Sequence, residues 1–329
     1  MSPPPAEPPG ACGVPALRRA RPRDWLIGAA LLAGLLIAVQ QGVGWGVLLA
    51  PWREVSPWLL AGAFLLTAAS YALRALRVYD WFGPLVAGRF IAVLRVSMLH
   101  TTANNLLPMR LGELVFPWLM HRHFGHGLLV SGVSLIWIRV MDLHCLALAG
   151  LLVLWLRAPG WWWPLLGLLW LALVPLGVLV RRGGWVERLP QERLRRLLLF
   201  VLEAAPGEVP LLARVYAWTL LIWATKLTAF ALVLGHFVDA ALWQRLAGVV
   251  GAELSSVLPF HGIAGAGSYE LTGVAAMVPL GVEVAPALAG AVNLHLFLLG
   301  TTLLLGLVAL LLPMGTAAGR GGRIGRRTG

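Results

Sequence analysis

Six long apolar segments, at residues 25–50, 58–73, 128–156, 161–180, 217–238 and 286–312, decide what this chain can become. Each approaches the roughly 20 residues a helix needs to cross a bilayer core. In hydrocarbon every backbone N–H and C=O must find an internal partner, so segments of this kind are helices. The fold class that follows is an all-α polytopic membrane protein. Charged residues make up 12% of the chain, against about 25% in soluble domains. The net charge of +12 then reads as arginines flanking spans, and nucleic acid is not expected as a partner.

Residues 1–24, MSPPPAEPPGACGVPALRRARPRD, read as a disordered basic cytoplasmic tail, and 313–329 as a second basic tail. The apolar run after the first tail continues without an A-x-A-like cleavage site, so it reads as an uncleaved span. Between the tails, 25–312 reads as a single transmembrane domain. Cys12 and Cys145 exclude a disulfide framework and any multi-cysteine metal site. No cofactor or metal is expected.

Arginine positions set the topology. One set of loops carries Arg18, Arg19, Arg21 and Arg23, then Arg74, Arg77 and Arg89, then Arg110 and Arg122, and continues through 181–216 to the C-terminal tail. The alternate loops carry only Arg53, Arg157 and Arg245. Both termini are therefore expected in the cytoplasm. On this count 90–108 and 244–280 each leave on the side they entered. The expectation is about six full spans plus two re-entrant hairpins from opposite faces, the pattern of an inverted repeat. The alternative is about eight spans, each hairpin arm crossing fully. The loop 181–216 contains RLPQERLRRLLLFVLEA, whose apolar residues recur at helical spacing among arginines. It reads as a cytoplasmic amphipathic helix, either in the headgroup layer or packed on the ends of the spans.

The least apolar peptide, TTANNLLPMRLGEL (101–114), falls at the first hairpin. Pro108 removes a backbone donor and Gly112 loosens the helix, and a break of this kind survives only over protein or a water-filled cavity. Arg110 beside it offers a planar fork suited to phosphate, and Glu113 is placed to neutralise that arginine, to orient it or to act on a coupling proton. Asn104 and Asn105 add donors and acceptors, with His100 one turn before. His121, His123 and His126 read as an exposed cluster rather than a metal site. The second hairpin carries GAELSSVLPFHGIAGAGSYELTG, with Pro259, Gly265, Gly267 and Glu270 echoing the Leu-Pro, glycine and glutamate of the first. Arg139 and Asp142 lie three apart inside a span, as a structural pair or part of a substrate path. Lys226 is a third intramembrane charge without a local partner, so it is expected to face a cavity unless it snorkels to the cytoplasmic edge. No Ser/His/Asp arrangement, Walker loop or zinc-protease motif is visible.

On NNLLPMRLGEL, on Arg139 with Asp142, and on the LP…G-x-G-x-x-E peptide ending at Glu270, the chain resembles a flippase-like integral membrane family. That family is related to the transmembrane region of lysylphosphatidylglycerol synthases, and the resemblance covers residues 25–312. It implies a lipid flippase in the bacterial inner membrane. In the synthases the domain is associated with moving aminoacylated phosphatidylglycerol to the outer leaflet. The family's Pro-Gly-Gly-type run reads PFHGIAGAGSYE here, so the ligand does not carry over with the fold. The synthases' soluble aminoacyl-transferase domain has no counterpart in this sequence, so synthesis of that lipid is not expected.

The expectation is a non-enzymatic translocator that binds an anionic phospholipid or lipid-linked headgroup in a midplane cavity. Its binding residues are Asn104, Asn105, Pro108, Arg110, Gly112, Glu113, Arg139, Asp142, Pro259, Gly265, Gly267 and Glu270, with no catalytic residue. The alternatives are a membrane-embedded transferase with Glu113 or Glu270 as base, and a non-catalytic subunit of a lipid or polysaccharide pathway. A biosynthetic enzyme or a second copy of the chain are the protein partners considered.

Overall fold

The computed structural model describes residues 22–107, 111–176, 179, 183–184, 186–255 and 262–314. Residues 1–21 and 315–329 of the two tails, with Pro108, Arg110, Pro259 and His261, lie outside the described residues, and Pro22–Asp24 of the first tail belongs to the first helix. Within them the chain is helical: α1 (Pro22–Gly42), α2 (Trp45–Leu49), α3 (Pro57–Phe82), α4 (Phe90–Leu106), α5 (Leu111–Phe124), α6 (Leu128–Arg157), α7 (Trp162–Leu171), α8 (Glu192–Glu203), α9 (Val209–Phe237), α10 (Leu242–Leu254), α11 (Ser268–Met277) and α12 (Val284–Leu311).

Four helical stretches are long and apolar enough to cross a membrane alone: Pro57–Leu85, Leu128–Arg157, Val209–Phe237 and Val284–Leu311. The segment read as a first span is a helix pair bent by 93°, broken where Gly44 takes φ 82°, a conformation glycine adopts without steric penalty. The segment 161–180 is an unbroken helix only over Trp162–Leu171, ten residues, about half a bilayer. Outward-facing leucines such as Leu303, Leu304, Leu307 and Leu311 on α12 give the bundle its apolar exterior.

Contacts at the helix ends fix directions. Asp80, late in α3, holds Arg214, early in α9, at 2.8 Å, while His236 at the far end of α9 meets the Pro51 carbonyl at 3.1 Å. The two helices are antiparallel. At the Asp80 end, Arg89 before α4 donates to the His123 carbonyl in α5, and Arg95 donates to Leu312 at the close of α12. At the opposite end, Arg157 lies over Trp243 of α10, and Gln244 donates to the Leu280 carbonyl after α11. The α4–α5 hairpin thus begins and ends at one end of the bundle and the α10–α11 hairpin at the other.

The packing repeats. α6 lies against its own hairpin arm α5 and against α10, while α12 lies against its own arm α11 and against α4. α3 and α9 pair along their length. The sequence echo between the hairpins therefore falls on equivalent positions of two four-element units.

Close approach of the hairpin arms depends on small residues. A Cβ on Gly112 would overlap the Asn104 backbone, and one on Gly251 would lie 2.5 Å from Ala276 Cβ. We expect Gly112→Ala and Gly251→Ala each to destabilise by about 1–3 kcal/mol, the usual range for overpacking. Gly62→Ala, with nothing within 4 Å, is expected to be neutral in the same thermal unfolding series in detergent.

Candidate functional site

At the centre of the bundle lies a cavity of about 120 Å³, walled by α3, α4, α5, α6, α9 and α10. Its lining is polar to a degree a hydrocarbon-facing bundle does not need. Arg74, Arg77, Arg139 and Lys226 meet Asp142 and Glu253 there, four cations against two carboxylates. His100, Thr101, Asn104 and Asn105 of α4 complete the polar side.

Asp142 of α6 organises the cationic wall. Arg77 of α3 donates to both its carboxylate oxygens, at 2.7 and 3.4 Å, and to Thr219 of α9 at 3.1 Å. The Trp223 indole N–H donates to the same carboxylate at 3.1 Å. Arg139, one turn before Asp142, stands 3.8 Å away and reaches Glu113 of α5 at 3.2 Å. The i,i+3 pair visible in the sequence is therefore the weaker part of a network joining α3, α5, α6 and α9. Lys226 pairs with Glu253 of α10 at 2.6 Å. Its partner is 27 residues away, which is why no local one was legible.

Arg74 differs from the other cations. It is half-buried in the cavity wall, 6.0 Å above the Trp223 ring, and forms no ion pair among the described residues. Its Nε, His100 Nε2 and Asn104 Oδ1 are buried without a hydrogen-bond partner there. Buried polar groups are nearly always satisfied, so three such atoms around one cavity mark a place built for a polar occupant.

A second space of about 30 Å³ adjoins the first, sharing Asn104, Asn105, Lys226 and Glu253. The hairpin tips meet here, Asn104 and Asn105 from α4 facing Ala264 and Gly265 from the turn before α11. Asn105 donates to Thr302 of α12 at 2.9 Å.

The residues expected from sequence divide accordingly. Asn104, Asn105, Arg139 and Asp142 line the larger cavity and Gly265 the smaller. Glu113 reaches the site through Arg139, and Gly112 serves the α4–α5 contact. Gly267 and Glu270 cap α11 and border an apolar groove against α1. Pro108, Arg110 and Pro259 lie outside the described residues.

The sequence reading placed Arg74 and Arg77 in a cytoplasmic loop; the structure puts both inside α3, Arg77 only 3% exposed. The apolar run ends near residue 73, but the helix continues to Phe82. Thr67, Ser70, Tyr71, Arg74 and Arg77 recur at spacings of three and four, a polar stripe that does point to an interior face. The histidines at the Asp80 end form no metal cluster among the described residues. Burial holds His126 below the usual histidine range, and burial with nearby Arg122 does the same for His123, so both are neutral at pH 7.

Removing one member of a buried pair strands the other. Asp142→Asn is expected to lower stability by about 3–5 kcal/mol, read as a loss of thermal midpoint. Arg77→Met combined with Asp142→Leu is expected to recover most of that loss, because both charges then leave together.

The match of the chain to known proteins rests on one family. No curated protein and no solved structure shows a significant match. The family model described as the lysylphosphatidylglycerol synthase TM region matches residues 25–306, the whole stretch from α1 to within a turn and a half of the end of α12. With the apolar helices, the paired hairpins and the charged central cavity in place, this multi-pass membrane protein belongs to the family of the lysylphosphatidylglycerol synthase transmembrane region.

Proposed function

We propose that the protein is a lipid translocator whose central cavity takes the headgroup of an anionic phospholipid or lipid-linked substrate. The observation that carries this reading is the charge imbalance of the cavity. Its lining has two more cations than carboxylates, and Glu113, just behind Arg139, leaves an excess of one. A net positive, partly desolvated cavity in a membrane favours a phosphate or carboxylate far more than bulk water does. Arg74 supplies a guanidinium that no carboxylate among the described residues pairs with, suited to bidentate contact with phosphate.

The carboxylates hold cations in place rather than act as bases: Asp142 on Arg77, Glu253 on Lys226, Glu113 on Arg139. We therefore read the protein as non-enzymatic. We place the end bearing Arg89, Arg95, Arg122 and Arg214 in the cytoplasm of a bacterial inner membrane, by the bias of short loops toward arginine. Both chain termini then lie inside, and the two hairpins dip from opposite faces to meet near the midplane. This is the arrangement in which irregular backbone survives at depth, covered by protein and a polar cavity.

Reconstituted vesicles carrying fluorescent phosphatidylglycerol test the reading through dithionite quenching of the outer leaflet. Wild type is expected to move the lipid well above protein-free vesicles, and Arg74→Gln to slow it at least tenfold, about 1.4 kcal/mol. Wild-type rates equal to those of empty vesicles for phosphatidylglycerol and cardiolipin alike would overturn it.

A further inference from the structure

His295, on α12, is 4% exposed and has both ring nitrogens engaged. Nε2 lies 2.9 Å from the Ala264 carbonyl oxygen and Nδ1 lies 2.6 Å from Glu270 Oε1. A carbonyl oxygen only accepts, so Nε2 carries a hydrogen and donates it. That settles the other contact. A neutral imidazole protonated at Nε2 presents a lone pair at Nδ1, and an ionised carboxylate presents only lone pairs. An approach of 2.6 Å therefore needs one further proton between them, carried by the imidazolium or by the carboxylic acid. Either way the pair holds one proton more than a separate neutral histidine and ionised glutamate.

The same two residues grip the break in the second hairpin. Glu270 Oε2 accepts from the Gly267 backbone N–H at 2.8 Å, and His295 holds the Ala264 carbonyl. Ala264 has φ 52°, a left-handed conformation that alanine rarely takes, and Gly265 and Gly267 follow with φ 81° and 84°. Tyr269 stacks on the imidazole at 4.6 Å. Strain of this kind persists only where neighbouring contacts enforce it.

We propose that His295 and Glu270 form a proton-binding site that latches residues 262–267 onto α12, so that opening the tip of the second hairpin releases one proton. Among the described residues the surrounding groups leave the charge balance to the pair itself. Across the smaller cavity stand Lys226 of α9 and Glu253 of α10, joined at 2.6 Å, with Ser255 just after α10 and Asn104 and Asn105 of α4. From α1 the described residues of the groove beside Glu270 are apolar, Ala30 and Leu31 among them. The latch stands on its own geometry. Joined to the translocator reading, on which this consequence alone rests, it ties opening of the cavity floor to proton release and lets a proton gradient bias the cycle.

The sign of the pH dependence follows from proton counts. Wherever the open state holds a neutral imidazole and an ionised carboxylate, the latch binds one proton more, so each rise of one pH unit makes opening tenfold more favourable. Glu270→Gln keeps every contact without the proton: its amide donates to Nδ1 and its oxygen accepts from Gly267. Its equilibrium is flat over the same range.

Ser255, 1% exposed and lining the smaller cavity, reports the opening when changed to cysteine in a chain carrying Cys12→Ala and Cys145→Ala. Its N-ethylmaleimide reaction rate is measured from pH 6.5 to 8.5 with and without Glu270→Gln, so that the thiol's own ionisation cancels in the ratio. The ratio of the Glu270 chain to the Gln chain is expected to rise about tenfold per pH unit. A ratio constant within twofold would overturn the proposal. If the cysteine chain does not fold, the thermal midpoints of wild type and Glu270→Gln serve instead. Their difference is expected to shift in favour of Glu270→Gln as pH rises, and a constant difference would contradict the latch.

Discussion

Asp142 is the residue on which the centre of this protein depends. A single carboxylate takes both arms of Arg77, the indole N–H of Trp223 and the attraction of Arg139. A lone arginine deep in a bilayer is expensive, and this chain puts three of them and a lysine around one cavity. What makes that tolerable is mutual neutralisation across helices that are far apart in sequence. The network ties α3, α5, α6 and α9 together, so the same contacts that permit the charges also specify how the helices meet. On the proposed function, stability and headgroup binding draw on one set of groups, with the excess cation left after pairing offered to the ligand.

The second constraint is backbone. Two helical hairpins enter the bundle from its two ends, and helix ends need partners where water is scarce. Each hairpin packs on the long helix of the other unit: α12 lies on α4, α6 lies on α10, and Asn104 and Asn105 face Ala264 and Gly265. Small residues at Gly112 and Gly251 allow the arms of each hairpin to approach closely enough for this. The exchange explains why two weakly similar peptides sit in equivalent places. Each hairpin leans on the long helix of the opposite unit as well as on its own.

Much of this was legible in the chain. Apolar length marks the four long helices, and the coincidence of proline, glycine and polar residues marks 101–114 and the peptide 251–273 as places where a helix breaks. Lys226 was read as facing a cavity and does line one. What stayed hidden follows a physical pattern. Pairings such as Arg77 with Asp142 and Lys226 with Glu253 join different helices, and spacing along one helix carries no information about them. Arg74 and Arg77 look like flanking charges in the sequence because apolar length marks where hydrophobicity ends, not where the helix does. His295 lies alone in an apolar run, where its only signal was its presence.

Occupancy of the charged cavity by an anionic lipid headgroup is tested most simply by native mass spectrometry of the purified protein, exposed to equal amounts of phosphatidylglycerol and phosphatidylcholine, with Arg74→Gln alongside. Wild type is expected to retain phosphatidylglycerol in preference to phosphatidylcholine, and the variant to lose the preference while keeping its fold. Equal retention of the two lipids by wild type, or an undiminished preference in the variant, would contradict it.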